Sequence, residues 1–342
     1  MYSFRNDYSE GAHPKILELL MKTSLEQNTG YGLDKHSERA AMLIKKVMKH
    51  EDVDIHFIPG GTQTNMLTIS SFLKPYQCVI AADTGHINVH ETGAIEATGH
   101  KVYTVPHVDG KLTSEGIRRA LDWHADEHMV QPGMVYISDT TELGTVYTKA
   151  ELSAISRLCR EKGLLLFLDG ARLASALTST MNDLELSDIA ELTDVFYIGG
   201  TKNGALFGEA LVLVKDELKK DFRYSIKHRG AMLAKGFSAG IQFEALFDGD
   251  IYFELGEHAN RLAEKLKKAL EAEGVEFYAT PCSNQLFPIV SGACVEALEK
   301  KYEFNIERVL GEDRYAIRFV TSWATQESAV DGLIKYFKTI NR

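Results

Sequence analysis

Apolar residues follow two alternating rhythms along this chain. Unbroken runs recur as CVIAAD (78–83), KVYTVPH (101–107), MVYISD (134–139), LLLFLD (164–169), VFYIGG (195–200) and ALVLV (210–214). Short runs without polar alternation predict strands buried on both faces. Between them the spacing changes. KAELSAISRLCREKG places Leu152, Ile155, Leu158 and Cys159 on one face and stops at Gly163, which predicts an amphipathic helix closed by a glycine. HETGAIEATGH (90–100) and SEGIRRALDWHADEH (114–128) fill the earlier gaps in the same helix-like way. Strands alternating with helices predict an α/β fold, with a mostly parallel sheet covered by helices.

Beyond about residue 240 the rhythm shifts to long helices, such as RLAEKLKKALEAEG with Leu262, Leu266 and Leu270 on one face, mixed with short strands such as YAIRFVTS (315–322). This predicts a smaller α+β C-terminal domain. The expected division is an N-terminal segment (1–30) that packs with the small domain through the helix in HPKILELLMKT, a large domain (31–238) and the small domain (239–342).

Open sheets bind ligands where strands end and loops emerge, and Asp83, Asp139, Asp169 and Lys202 all fall at or just past such ends. Lys202 is the unusual member: it follows Gly199-Gly200 and stands between two runs that read as buried, where lysine is rare. Asp169 precedes it by 33 residues, the length of one strand–helix–strand unit, which brings both to one sheet edge. Such a pair suits pyridoxal phosphate, with the lysine forming a Schiff base and the carboxylate keeping the ring nitrogen protonated. A structural Lys–Asp ion pair explains the same two residues.

HFIPGGTQTNMLTISSFL adds a short strand, a Pro59-Gly60-Gly61-Thr62 turn and a helix from about Gln63. Backbone N–H groups there can close on a phosphate. Alone, Gly-Gly-Thr before a helix is more often only a turn and helix cap. His86, three residues past Asp83, can stack on a flat ring or move protons near neutral pH. The HxxxH of His86 and His90 has metal-ligand spacing but no Glu or Cys partner of the right kind, so no metal is expected.

Composition narrows the partners. The 342 residues are 44% hydrophobic and 25% charged, with net charge −10, which argues against nucleic acid or anionic membranes as partners. Arg5, Asp7, Glu10, Lys15 and Glu18 break up any apolar leader, and no run is long enough to span a bilayer, so a cytoplasmic location is expected. The four cysteines, Cys78, Cys159, Cys282 and Cys294, form no CxxC and read as reduced core residues.

FRNDYSEGAHP, TGYGLDKHSE, PGGTQTN, ADTGHINVHETGA, LFLDGARL, YIGGTKNGALFGEALVL and IRFVTS, spread in this order over essentially the whole chain, resemble the low-specificity L-threonine aldolases. These belong to the β-eliminating lyase group of the PLP-dependent aspartate-aminotransferase fold, fold type I. The resemblance implies pyridoxal 5'-phosphate as cofactor and cleavage of L-threonine or L-allo-threonine, as small-molecule substrate, to glycine and acetaldehyde. It implies Lys202 as the Schiff-base lysine and Asp169 as partner of the ring nitrogen. His86 would stack on the ring. Gly61 and Thr62 would hold the phosphate, supplemented by Thr201 and by Arg229 or Lys235.

Arg172, beside the cofactor, and Arg318 would clamp the substrate carboxylate. Asn6 and Tyr31 would also reach the substrate, Tyr31 often from the neighbouring subunit of a homodimer or homotetramer with shared sites. Family members commonly carry Asn-Thr-His-Asn after the strand matching MVYIS. Here DTTELGT puts Thr141 and Glu142 where a hydroxyl-binding histidine is expected, so Glu142, His86 or a water would take the hydroxyl proton. The altered loop also fits another β-eliminating or aminotransferase reaction on a different amino acid, and the scaffold alone would suit a non-catalytic protein.

Overall fold

The computed structural model describes residues 1–340. Seven strands make the main sheet: β1 (Asp54–Ile58), β2 (Gln77–Ala82), β3 (Val102–Val105), β4 (Gln131–Ser138), β5 (Leu165–Asp169), β6 (Val195–Gly199) and β7 (Glu209–Leu213). Their order is β1-β7-β6-β5-β4-β2-β3. All pairs from β3 through β6 are parallel, whereas β7 runs antiparallel to both neighbours. The β6–β7 connection, residues 200–208, is too short for a crossover and returns the chain directly.

Helices α1 (Gly61–Phe72), α2 (His86–Val89) and α3 (Lys149–Lys162) shape the site and its support. Val135, Ile137, Leu166 and Leu168 of β4 and β5 share a core with Leu152, Ile155 and Leu158 of α3. Met134, Tyr136 and Phe167, the alternate positions, share a second core with Leu67 and Ile69 of α1. Both faces of the strands are therefore covered, which is why their sequences lack polar alternation. Thr148 and Glu151 form a reciprocal capping box at the start of α3, and Gly163 ends it with φ 65°. Segment 90–100 forms only the short turn Glu96–Thr98, because Gly93 and Gly99 adopt φ of 73° and 91° and break a helix.

The C-terminal part is an antiparallel sheet of Gln285–Leu286, Ile289–Val290, Asn305–Gly311 and Arg314–Val320. It packs on Leu262, Leu266 and Leu270 of α4 (Ile251–Ala272). The start of α4 differs, because Ile251, Tyr252 and Leu255 lie in the large core together with Phe243 and Phe247, which extends that core past residue 238. The N-terminal segment likewise touches both units. Tyr2–Ser3 pairs with Tyr302–Glu303 and Phe4 enters the small core, while Ile16 of the helix Pro14–Lys22 enters the large one.

Candidate active site

A cavity of about 550 Å³ opens over the carboxyl ends of β4, β5 and β6, with the start of α1 at one end and Arg318 of the small domain at another. Gly199 and Gly200 let the chain leave β6 against close neighbours. A Cβ on Gly200 would stand 2.6 Å from the Gly208 carbonyl oxygen and 2.8 Å from the Phe243 ring. The following turn delivers Lys202 to the cavity, and its Nζ has no hydrogen bond or ion pair with any described residue. Burial holds the Lys202 pKa below the ordinary value and the Arg172 charge adds to this, against the pull of Asp7, Asp169 and Glu209.

Asp169 ends β5 in register with Ser138, and Tyr136 and Tyr197 project from the flanking strands on the same face. Its Oδ1 accepts from the Ala171 N–H at 2.9 Å and from the Tyr197 hydroxyl; its Oδ2 accepts from Asn65 Nδ2 at 3.1 Å and from the Tyr136 hydroxyl. Burial favours the neutral acid, but the His86 charge and these donors outweigh it and keep the pKa below the ordinary value. Asp169 is thus a buried carboxylate held ionised.

His86 opens α2, and its Nδ1 lies 2.8 Å from Glu91 Oε1, which also accepts from Asn65 Nδ2 at 2.8 Å. Asn65 therefore ties Glu91 to Asp169. The His86 backbone N–H donates to Glu142 Oε1 at 2.7 Å, and the Ser138 hydroxyl donates to the same oxygen at 2.7 Å. Burial raises the Glu142 pKa, opposed by these donors. Thr141 turns its hydroxyl to Thr145 Oγ1 at 2.7 Å, while Thr140 lines the cavity with a buried hydroxyl that has no partner.

At the arginine end, Asp7 Oδ2 accepts from Arg172 Nε at 2.7 Å and Asp7 Oδ1 accepts from Arg172 Nη2 at 3.1 Å; Asn284 Nδ2 adds a bond to Oδ2 at 3.0 Å. This bidentate contact occupies the Nε/Nη2 edge of the guanidinium and leaves Nη1 without a hydrogen-bond partner on a residue that lines the cavity. Arg318 sits 3.8 Å from Glu307, and its buried Nε has no partner. At the opposite end, α1 starts at Gly61 after an extended Gly60 and no side chain caps it, so its first N–H groups stay open beside Thr62. Glu209 Oε2 accepts from the Gly200 N–H at 2.9 Å and Oε1 accepts from the Thr201 hydroxyl at 2.8 Å, which fixes the turn before Lys202. Burial pushes the Glu209 pKa up to about 7.

The cavity thus gathers Gly61, Thr62, His86, Glu142, Asp169 and Arg172, together with Thr201, Lys202 and Arg318. Three expected contacts lie elsewhere within this chain. Asn6 turns its Oδ1 back to the Tyr8 N–H and the Ser9 hydroxyl, both at 3.0 Å, and its neighbour Tyr8 lines the cavity instead. Lys235 is exposed on the surface. Tyr31 borders a separate groove of about 300 Å³ with Arg223, Met232 and Leu233. Of the strand-end aspartates, Asp83 is exposed and accepts from the His107 N–H, and Asp139 is buried beneath the Tyr147 N–H with its pKa raised to about 8.

Sequence reading missed Asp7, Glu91, Asn65, Tyr136, Tyr197 and Glu209. Glu91 directly follows His90, inside a segment whose sequence reads as helix and gives no separate signal for a carboxylate at the site. Asn65 stands four residues past Gly61, on the same face of α1, which is a signal helical periodicity could have supplied.

Residues 4–293 match the beta-eliminating lyase family. A low specificity L-threonine aldolase from a Pseudomonas species is 33% identical over 331 residues, covering 96% of this chain and 94% of its own length. A solved threonine aldolase structure from Leishmania major superposes with a TM-score of 0.99 at 51% identity, covering 100% of both chains. An aspartate aminotransferase from Thermus thermophilus shares the fold at a TM-score of 0.75 and 16% identity, covering 99% of this chain and 91% of its own.

Proposed function

The chain belongs to the beta-eliminating lyase family, and on that premise we propose that it cleaves β-hydroxy-α-amino acids of the L-threonine type to glycine and an aldehyde. The observation that carries this reading is the pairing in one cavity of an unpartnered, half-buried Lys202 amine with an Asp169 carboxylate held ionised by four donors.

The residues fit pyridoxal phosphate: Lys202 for its aldehyde, Asp169 for its ring nitrogen, His86 beside the ring, and Gly61, Thr62 and Thr201 for its phosphate. When bound, this cofactor supplies the electron sink for the Cα–Cβ bond pair. The Arg318 guanidinium and Arg172 Nη1 take the substrate carboxylate, and Asp7 fixes the Arg172 plane. Glu91 fixes the His86 ring, and Glu142 anchors the loop after β4 to α2 rather than standing free.

Exposed Tyr31, Leu33, Leu206 and Leu233 support a homodimer, or a tetramer built from it, in which a neighbouring Tyr31 completes the site. Four free thiols support a reducing cytoplasm. No helix among the described residues is long and apolar enough to cross a membrane.

The test is product analysis of the purified, cofactor-loaded protein with L-threonine and L-allo-threonine. Glycine and acetaldehyde in equal amounts are expected, and release of a keto acid and ammonia instead would reject the reading.

A further inference from the structure

We propose that His90 is the base that takes the β-hydroxyl proton as the Cα–Cβ bond breaks, an assignment that rests on the aldolase reading above. Most other acid–base groups on the cavity wall are committed. Asp169 is held by four donors, and Glu209 binds Gly200 and Thr201. Glu142 Oε1 is filled by the His86 N–H and the Ser138 hydroxyl, and His86 Nδ1 is taken by Glu91. Accepting a substrate proton at any of these atoms would break a bond that holds the site together; Glu142 Oε2 and His86 Nε2 stay open, but each belongs to a side chain already anchored through its other polar atom.

His90 differs. Its backbone N–H donates to the His86 carbonyl at 2.9 Å, which sets the two rings 5.4 Å apart on one wall of the cavity. Neither of its ring nitrogens is hydrogen-bonded to a described residue. Two other residues that line the same cavity, Arg318 and Thr140, each carry a buried polar atom without a partner, Nε and Oγ1.

The charged and titratable groups facing His90 are His86 from its own helix, Glu307 and Arg318 from the small-domain strands, and Lys202 from the turn after β6. His90 is exposed at the rim of the cavity; its partial desolvation and the His86, Arg318 and Lys202 charges lower its pKa, Glu307 opposes them, and the net shift is downward. The imidazole is therefore neutral at pH 7, with a lone pair ready to accept.

The step balances. The β-hydroxyl O–H bond breaks and its proton passes to an imidazole nitrogen. The O–H electron pair becomes the second bond of the aldehyde carbonyl, and the Cα–Cβ pair stays with the glycine half. A proton gained at Cα matches the one lost at oxygen, so no oxidant or co-reactant is consumed, and the imidazolium returns its proton to water.

Two reactions of the holoenzyme separate this role from a structural one: cleavage of L-threonine, and exchange of a glycine Cα proton for deuterium, which involves no hydroxyl. For His90→Asn, kcat for cleavage is expected to fall about 10²- to 10⁴-fold with KM within about threefold, while glycine exchange keeps its wild-type rate within about threefold. Equal loss of both reactions, or unchanged cleavage, overturns the assignment.

The wild type tests it without any substitution. An acidic limb below about pH 6.5 is expected in the cleavage profile and not in glycine exchange, and the same limb in both overturns the assignment. A wild type that releases no aldehyde from any β-hydroxy amino acid overturns the aldolase reading itself, whereas an active wild type with an equally active His90→Asn overturns only the role of His90.

Discussion

Replacing Asp7 with Asn removes one charge from a buried pair and leaves the Arg172 guanidinium uncompensated. Asp7 is 1% exposed and accepts three side-chain hydrogen bonds, two from Arg172 and one from Asn284. Breaking one half of such a pair costs about 3–5 kcal/mol. Unfolding entropy of about 2.1 cal/mol/K for each of 342 residues gives about 0.7 kcal/mol/K, so Tm should fall by about 4–7 °C. Arg172 would also lose the plane that points Nη1 toward the substrate, so KM for L-threonine should rise.

The sign with pH follows from the Asp7 pKa. Burial alone would raise it, but the Arg172 and Lys202 charges and the hydrogen bonds bring it below 3.8. Its contribution to stability is therefore present above about pH 3.8 and is lost as pH falls through the folded value, so the gap between wild type and variant should narrow in strong acid. Differential scanning calorimetry at several pH values and steady-state kinetics check both effects. An unchanged Tm together with an unchanged KM would refute the reading that Asp7 organises Arg172.

Asp139→Asn should remove a pH dependence rather than an interaction. Burial raises the Asp139 pKa from 3.8 to about 8, so wild-type stability declines between those values, by up to about 4 kcal/mol from pH 5 to pH 8. The variant should gain about 6 °C relative to wild type over that interval, and parallel Tm curves would count against it. Arg318→Gln should lower kcat/KM for L-threonine roughly 10- to 100-fold, mainly through KM, by removing a charge-assisted bond to the substrate carboxylate; a change confined to kcat would contradict that role.

Much of this was legible in the sequence because the residues involved punctuate it. Asp169 ends an apolar run, and Lys202 follows two glycines that its close turn requires. The start of α1 is marked by Gly60-Gly61. The network around Asp169 was less visible because Tyr136 and Tyr197 sit inside apolar strands, where tyrosine reads as core. Only the parallel register puts their hydroxyls on the carboxylate. Asp7 was hidden for a different reason, since it meets Arg172 across 165 residues of chain. Asn6 sits beside it but turns into a local bond that no periodicity distinguishes from a ligand contact.

The commitments of these groups also explain how a chain of net charge −10 can choose an anionic ligand. Net charge acts at long range, but recognition depends on which atoms in the cavity remain free. The carboxylates near the chemistry already accept donors: Asp7 from Arg172 and Asn284, Asp169 from four groups, Glu142 through Oε1 from His86 and Ser138, Glu91 through Oε1 from Asn65, and Glu209 from Gly200 and Thr201. The free groups are Lys202 Nζ, Arg318 Nε, Arg172 Nη1 and the uncapped start of α1. Two of these are guanidinium groups, one is an amine whose pKa is lowered by burial, and the fourth is the positive end of a helix dipole. An amino-acid carboxylate at the arginine end and a phosphate at the α1 end would satisfy them.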